Sequence, residues 1–330
     1  MPRSRRSQVS LSDTPYYHCV SRCVRRAFLC GEDQLTGKSY EHRRQWVEDY
    51  LLKLASVFAI DVCAYAVMSN HTHLVLHVNP QQAEAWLMDE VLERWHSLHQ
   101  GTLLTQMYLN LELRPQLSEV QLQAIRATAG VYRTRLYDLS WFMRHLNEHI
   151  ARAANQEDQC TGRFWEGRFK SQALLDEAAL MACMAYVDLN PIRAKMASTP
   201  EGSAHTSVQR RAKAAQLKQA QATNLFPFVG NPREPMPQGL PFELKDYLEL
   251  VDMTGRMVRE DKRGDIDSGE SSIIQRLGIN EAQWLILSGE FERHFSGAVG
   301  QESLLRQYHQ HMGHKRTAGL SCSKRLLNRA

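Results

Sequence analysis

Positions alternate with a period of two through His71-Thr72-His73-Leu74-Val75-Leu76-His77-Val78, the signature of a strand with one face toward a core. On that reading Leu74, Leu76 and Val78 turn inward, while His71 and His73 project together from the other face. Tyr16 to Val24 is β-branched, aromatic and alternating, and predicts an earlier strand. Phe58 to Val67 predicts another, joined to the histidine-bearing one by the turn-prone Ser69-Asn70. Between them Trp46, Tyr50, Leu51 and Leu54 recur at helical spacing among charges, so Tyr40 to Val57 predicts an amphipathic helix. The expected order is strand, helix, strand, strand.

From Pro80 to about Leu139 the pattern turns helical and rich in Leu, Gln and Glu, notably over Ala83 to His99 and Ser118 to Thr128, and reads as an insertion into the sheet pattern. Trp141 to Ala154 predicts a further amphipathic helix, and a loop from Asn155 to Gly162 precedes the basic-aromatic run Arg163 to Lys170. Asp176 is placed to cap a helix running through Leu180, Cys183, Met184 and Val187, with Glu177 in its first turn. Pro191 disfavours helical geometry at the residue before it, so this helix is expected to end near Asn190, with Tyr186 and Asn190 on one side of it. Beyond Pro200 comes a polar Ala/Gln/Lys-rich stretch to Thr223 and a Pro-rich one from Phe226 to Pro241; helices are expected at Leu244 to Glu260, Ser271 to Leu277, Glu281 to Phe295 and Gln301 to His311. The division expected is a basic tail over 1–13, a domain over 14–200 with its insertion at about 80–139, a linker or packing arm over 201–241 and a helical region over 242–330.

At 330 residues, 43% hydrophobic and 23% charged, the chain has the composition of a soluble globular protein. No apolar run approaches the roughly 20 residues that span a bilayer, and Met1-Pro2-Arg3-Ser4-Arg5-Arg6 leads into no hydrophobic signal core, so no membrane association is expected and a bacterial-type cytoplasm is, in association with the nucleoid. The seven cysteines include no CxxC pair, which argues against a disulfide framework and a zinc ribbon. A net charge of +4 says less than its distribution, because arginines gather in patches interleaved with aromatics, a pattern suited to a phosphate backbone and stacked bases. Arg163, Trp165, Arg168 and Lys170 are the first candidates for DNA contact, with Arg22, Arg25 and Arg193 beside them; Phe164 and Phe169 are expected in the core. Solvated helix faces are the competing account of any one cluster.

Two same-face histidines can hold a divalent cation through neutral imidazole nitrogens, leaving positions for a phosphate oxygen and one more donor. Such a cation would act as a Lewis acid on a scissile phosphate. A tyrosine, with a pKa near ~10 in solution, is a poor nucleophile at neutral pH unless its target is polarised or a base assists. Its attack would leave a covalent phosphotyrosine that conserves the phosphodiester energy for rejoining. Asn190 is placed to offer a third donor through its side-chain carbonyl. Taken singly, a His-x-His pair is more often packing, and a Tyr-x-x-x-Asn spacing says little. His77 continues the histidine face and is expected to be structural or supporting.

The order of these pieces resembles the REP-associated tyrosine transposases, within the single-tyrosine HUH nuclease superfamily. The matching elements are Tyr17-His18, the Met68 to Val75 block, Gly162 to Ser171, and Tyr186-Val187-Asp188-Leu189-Asn190-Pro191-Ile192-Arg193-Ala194, which together cover about residues 14 to 197. Thr72 stands between the histidines where the family has a hydrophobic residue, and Asn190 stands where mobile single-tyrosine transposases commonly place a glutamine. The resemblance implies an α+β fold with a ferredoxin-like antiparallel sheet flanked by helices, carrying His71 and His73 on a central strand and Tyr186 on a flanking helix. It implies His71, His73 and Asn190 as ligands of Mg²⁺ or Mn²⁺, and Tyr186 as the nucleophile that becomes linked to a 5′-phosphate. The implied partner is single-stranded DNA with small palindromic hairpins near the cut, acted on by a monomer or homodimer. The alternatives are a non-catalytic DNA hairpin-binding protein and a ferredoxin-like RNA-binding module; no RNP-type aromatic pattern supports the latter.

Overall fold

The computed structural model describes residues 8–24, 29–33, 36–219, 221–230, 238–258 and 272–327; Arg25 and the first seven residues of the basic tail lie outside them. The chain opens with β1 (Tyr16–Arg22), α1 (Arg43–Val57), β2 (Ile60–Val67) and β3 (His71–Val78), the order that hydrophobic periodicity predicts. There follow α2 (Pro80–Ala85), α3 (Met88–His96), α4 (Leu103–Leu109), α5 (Glu119–Leu136) and α6 (Leu139–Glu157), then β4 (Lys170–Ala173), α7 (Glu177–Asp188), α8 (Asn190–Arg193) and α9 (Ser207–Gln216). The helical remainder is α10 (Leu244–Val258), α11 (Ser272–Leu277), α12 (Glu281–His294), α13 (Glu302–His311) and α14 (Leu320–Leu326). The fold is α+β, and no helix among the described residues is long and apolar enough to cross a membrane.

The four strands form one antiparallel sheet in the order β2-β3-β1-β4. β4 is the strand that sequence pattern does not foresee: Lys-Ser-Gln-Ala has no β-branched or aromatic residue. Pairing with β1 makes it a strand, with Tyr17 opposite Ala173 and His18 opposite Gln172. Immediately after it Leu175 N–H donates to the carbonyl of Val299 at 2.8 Å, so the C-terminal region extends the pairing past the end of β4.

Register places the chemistry on one face. Val20 lies opposite His73, Arg22 opposite His71 and His18 opposite Val75, which puts His18, His71 and His73 on the same side of β1 and β3. Tyr17, Leu74 and Leu76 occupy the other side, packed in one core with Leu51 of α1 and Phe142 of α6. Trp86, Leu92, Trp95 and Tyr132 belong to that same core, so the helical insertion adds to it and builds no core of its own.

The histidine face is covered by α7, in which every residue from Ala178 to Asp188 is buried. A helix apolar all round must be covered on both sides. The sheet lies on one side; on the other Trp284, Leu287 and Phe291 of α12 share its core. The described part of 201–241 runs along β2, where Ser207 Oγ accepts from Tyr65 N–H at 2.9 Å and Phe226 N–H donates to the Val62 carbonyl at 2.8 Å. One expected feature is corrected. α7 stops at Asp188, and Asn190 opens a separate short helix with Pro191 in its first turn. Proline has no N–H to continue the ladder, so the break falls at Leu189, two residues ahead of it, and Asn190 does not share the helix of Tyr186.

Candidate active site

His73 is fully buried at the middle of β3, and His71 sits nearer the strand's start, with ring centroids 4.7 Å apart. Nδ1 of His71 lies 2.6 Å from Oδ1 of Asn70. Nδ1 of His73 lies 3.0 Å from Nε2 of His18, whose ring is nearly parallel to it with centroids 5.2 Å apart. Burial, with the Arg22 charge beside it, pushes His71 down to about 4. Burial also holds His73 well below the ordinary histidine range, with His18, His71, Arg193 and Arg22 acting the same way. Both rings are neutral at pH 7, the form that binds metal. Nε2 of His73 is buried with no hydrogen-bond partner. His77 is structural: Nδ1 lies 2.8 Å from Asp61 Oδ2, and the ring stacks on Phe226 at 4.5 Å.

Tyr186 comes down from α7 onto this face, its ring 5.7 Å from that of His73 and 6.3 Å from that of His18, both edge-on. The phenol donates to Oε2 of Glu292 on α12 at 3.3 Å. Arg193 lies over the tyrosine ring, its guanidinium carbon 4.3 Å from the centroid, and donates to the carbonyls of Ser288 at 2.6 Å and Tyr186 at 2.5 Å. Burial first and the Glu292 charge second push the phenol up to about 12, while Arg193 opposes them. Tyr186 is therefore protonated at neutral pH and needs help to attack.

Asn190 is half-buried, and its amide nitrogen has no hydrogen-bond partner. Among the described residues no group of three or more His, Cys, Asp or Glu is arranged to hold a metal ion. His71 and His73 bring together two imidazole donors, few enough that Mg²⁺ or Mn²⁺ held there would keep several waters. The unpartnered Nε2 of His73 fits that use, because a buried ring nitrogen without a partner is costly unless something binds it.

The DNA-contact candidates separate. Arg22, Arg163, Arg168 and Lys170 are exposed. Arg163 lines a cleft of about 470 Å³ with Lys38, Tyr40, Asn155 and Phe164. Trp165 does not stand outside the two phenylalanines as expected: it is buried in the same core, and its indole N–H donates to the Asn147 carbonyl at 2.7 Å. Arg193 is engaged beneath Tyr186.

Three residues that sequence reasoning gave no role join the site. His18 was visible as a polar residue in phase on β1, Gln172 lay in a strand with no strand signal, and Glu292 lies 106 residues from its tyrosine partner.

No protein-family model matches the chain, and no curated protein does. A solved structure described as "Structure of the REP associates tyrosine transposase bound to a REP hairpin" is similar to it, with 12% identity over 71% of this chain and 94% of that one and a TM-score of 0.38. At that level the likeness adds no weight to the chemistry, which rests on the side chains themselves.

Proposed function

We propose that the protein is a metal-dependent transposase or endonuclease of single-stranded DNA that cuts and rejoins strands near hairpins through a 5′-phosphotyrosine intermediate. The observation that carries this reading is the meeting of Tyr186 with His71 and His73 on one sheet face, from elements more than a hundred residues apart, with neighbouring ring centroids 4.7 and 5.7 Å apart. The strand order β4-β1-β3-β2, with α1 between β1 and β2 and helices between β3 and β4, supports a ferredoxin-like arrangement of the HUH type.

His71 and His73 would hold Mg²⁺ or Mn²⁺, with Asn190 as the third donor. When bound, the ion supplies Lewis-acid polarisation of the scissile phosphate. The oxygen of Tyr186 attacks phosphorus, the bond from phosphorus to the 3′ oxygen breaks, and that oxygen leaves with a proton as a 3′ hydroxyl. Glu292 is placed to take the phenolic proton. Attack by a 3′ hydroxyl on the phosphotyrosine reverses the step and rejoins DNA. Arg193 keeps the ring in place and its positive charge favours the phenolate. Exposed Arg22, Arg163, Arg168 and Lys170 would hold phosphates.

The test is incubation of end-labelled single-stranded hairpin DNA, taken from repeats flanking the gene, with the protein and Mn²⁺, beside Tyr186→Phe. A covalent protein–DNA adduct formed by the wild type alone is the expected result. Tight hairpin binding with no adduct would replace this reading with that of a non-catalytic hairpin binder.

A further inference from the structure

The amide of Gln172 is oriented by its surroundings. Its nitrogen donates to the carbonyl of Phe295, which turns Oε1 toward His18, 2.6 Å from Nδ1. An amide oxygen only accepts, so Nδ1 of His18 must carry the proton. A neutral imidazole protonated at Nδ1 presents a bare lone pair at Nε2. That nitrogen faces Nδ1 of His73 at 3.0 Å, so Nδ1 of His73 must in turn be the donor. The bare nitrogen of His73 is then Nε2, the atom that has no partner. All three side chains are buried, His18 and His73 completely, so water does not substitute for any link.

From this chain of obligate roles we propose that Gln172 and His18 are positioning residues that lock His73 in its Nδ1-protonated tautomer, directing the Nε2 lone pair into the site. The cation that the lone pair would meet rests on the function proposed above; the tautomer does not. The relay begins at the Phe295 carbonyl, just past α12, so the C-terminal region sets the chemistry of a strand more than two hundred residues earlier. Supporting partners of this kind behind a ligating histidine are worth about 10- to 100-fold in metal affinity.

The experiment uses full-length protein in three forms: wild type, His18→Leu, which removes the acceptor, and His18→Gln, whose carbonyl can replace it. Gln172→Leu serves as a milder break should His18→Leu fail to fold by circular dichroism. Nitrogen-15 NMR of the metal-free protein reads the His73 tautomer, and titration with Mn²⁺ alone reads affinity. The expected result is an Nδ1-protonated His73 in the wild type and His18→Gln, and a mixture of tautomers with about 10- to 100-fold weaker Mn²⁺ binding in the breaking variant. An Nε2-protonated His73 in the wild type, or an unchanged tautomer in a folded breaking variant, overturns the proposal. Absence of Mn²⁺ binding in every form, with the tautomers as expected, upholds the lock and counts against the metal-dependent function instead.

Discussion

The hydroxyl of Tyr186 on α7 donates to Glu292 on α12 across 3.3 Å, so the candidate nucleophile is held by a carboxylate from the far end of the chain. That carboxylate has two opposed effects. It raises the cost of ionising the phenol, and it is the nearest acceptor for the proton that attack must release. If proton transfer governs the step, Glu292→Gln lowers strand cleavage at pH 7 by about 10²-fold, within the usual range for general acid–base catalysis. Its pH–rate profile should keep rising toward alkaline pH, because loss of the charge also eases phenol ionisation. The profile is measured by adduct formation against pH. A variant faster than the wild type at pH 7 would mean that the contact restrains the tyrosine.

Arg193 makes its own case through geometry. Its guanidinium stacks on the Tyr186 ring and donates to two backbone carbonyls, one on α7 and one on α12. Arg193→Leu would leave both carbonyls without that donor in a half-buried site, at roughly 1 to 3 kcal/mol each. Urea unfolding should show a loss of about 2 kcal/mol or more, and the Tyr186 phenol should titrate above its wild-type value when followed by carbon-13 NMR. Unchanged stability would show that water takes over the carbonyls.

Much of this was open to reading in the sequence because it obeys local rules. The alternation from His71 to Val78 survives as β3 with its histidines in phase, and α1, α6 and α10 to α13 fall within a few residues of their expected spans, while the short α14 has no counterpart among them. Three features were closed to it. β4 exists through pairing with β1, a long-range cause that Lys-Ser-Gln-Ala does not announce. Trp165 stands beside arginines in sequence yet packs inward, since neighbours along a loop need not share a face. Glu292 reaches Tyr186 only because α12 packs on α7.

Trp165 separates a packing role from a DNA-stacking one. The indole is buried beside Phe164, ring centroids 5.1 Å apart, and ties its loop to α6 through Asn147. Trp165→Ala should cost about 3 to 5 kcal/mol of stability in urea unfolding. Trp165→Phe keeps most of the ring and loses the hydrogen bond, so it should cost about 1 kcal/mol and leave hairpin affinity within twofold by fluorescence anisotropy. A drop of tenfold or more in affinity with unchanged stability would restore Trp165 to the DNA interface.

Asp188 sits two residues past the tyrosine and faces away from the chemistry. Fully buried, it accepts from Ser207 Oγ at 2.5 Å, Val208 N–H at 3.0 Å and Tyr247 O–H at 2.6 Å, joining α7 to α9 and α10. Burial outweighs these donors and the Arg211 charge, and pushes its pKa up to about 6. The sign follows from linkage. The folded state holds the proton more tightly than the unfolded chain, so this residue's contribution is full below the ordinary aspartate pKa and is lost as pH rises through about 6. Relative to Asp188→Asn, the wild type should therefore lose roughly 2 to 3 kcal/mol between pH 4 and pH 7, which paired urea titrations at the two pH values will show. A wild type that instead gains stability over that window would mean that Arg211 holds Asp188 ionised, and that α7 is tied down by a buried ion pair.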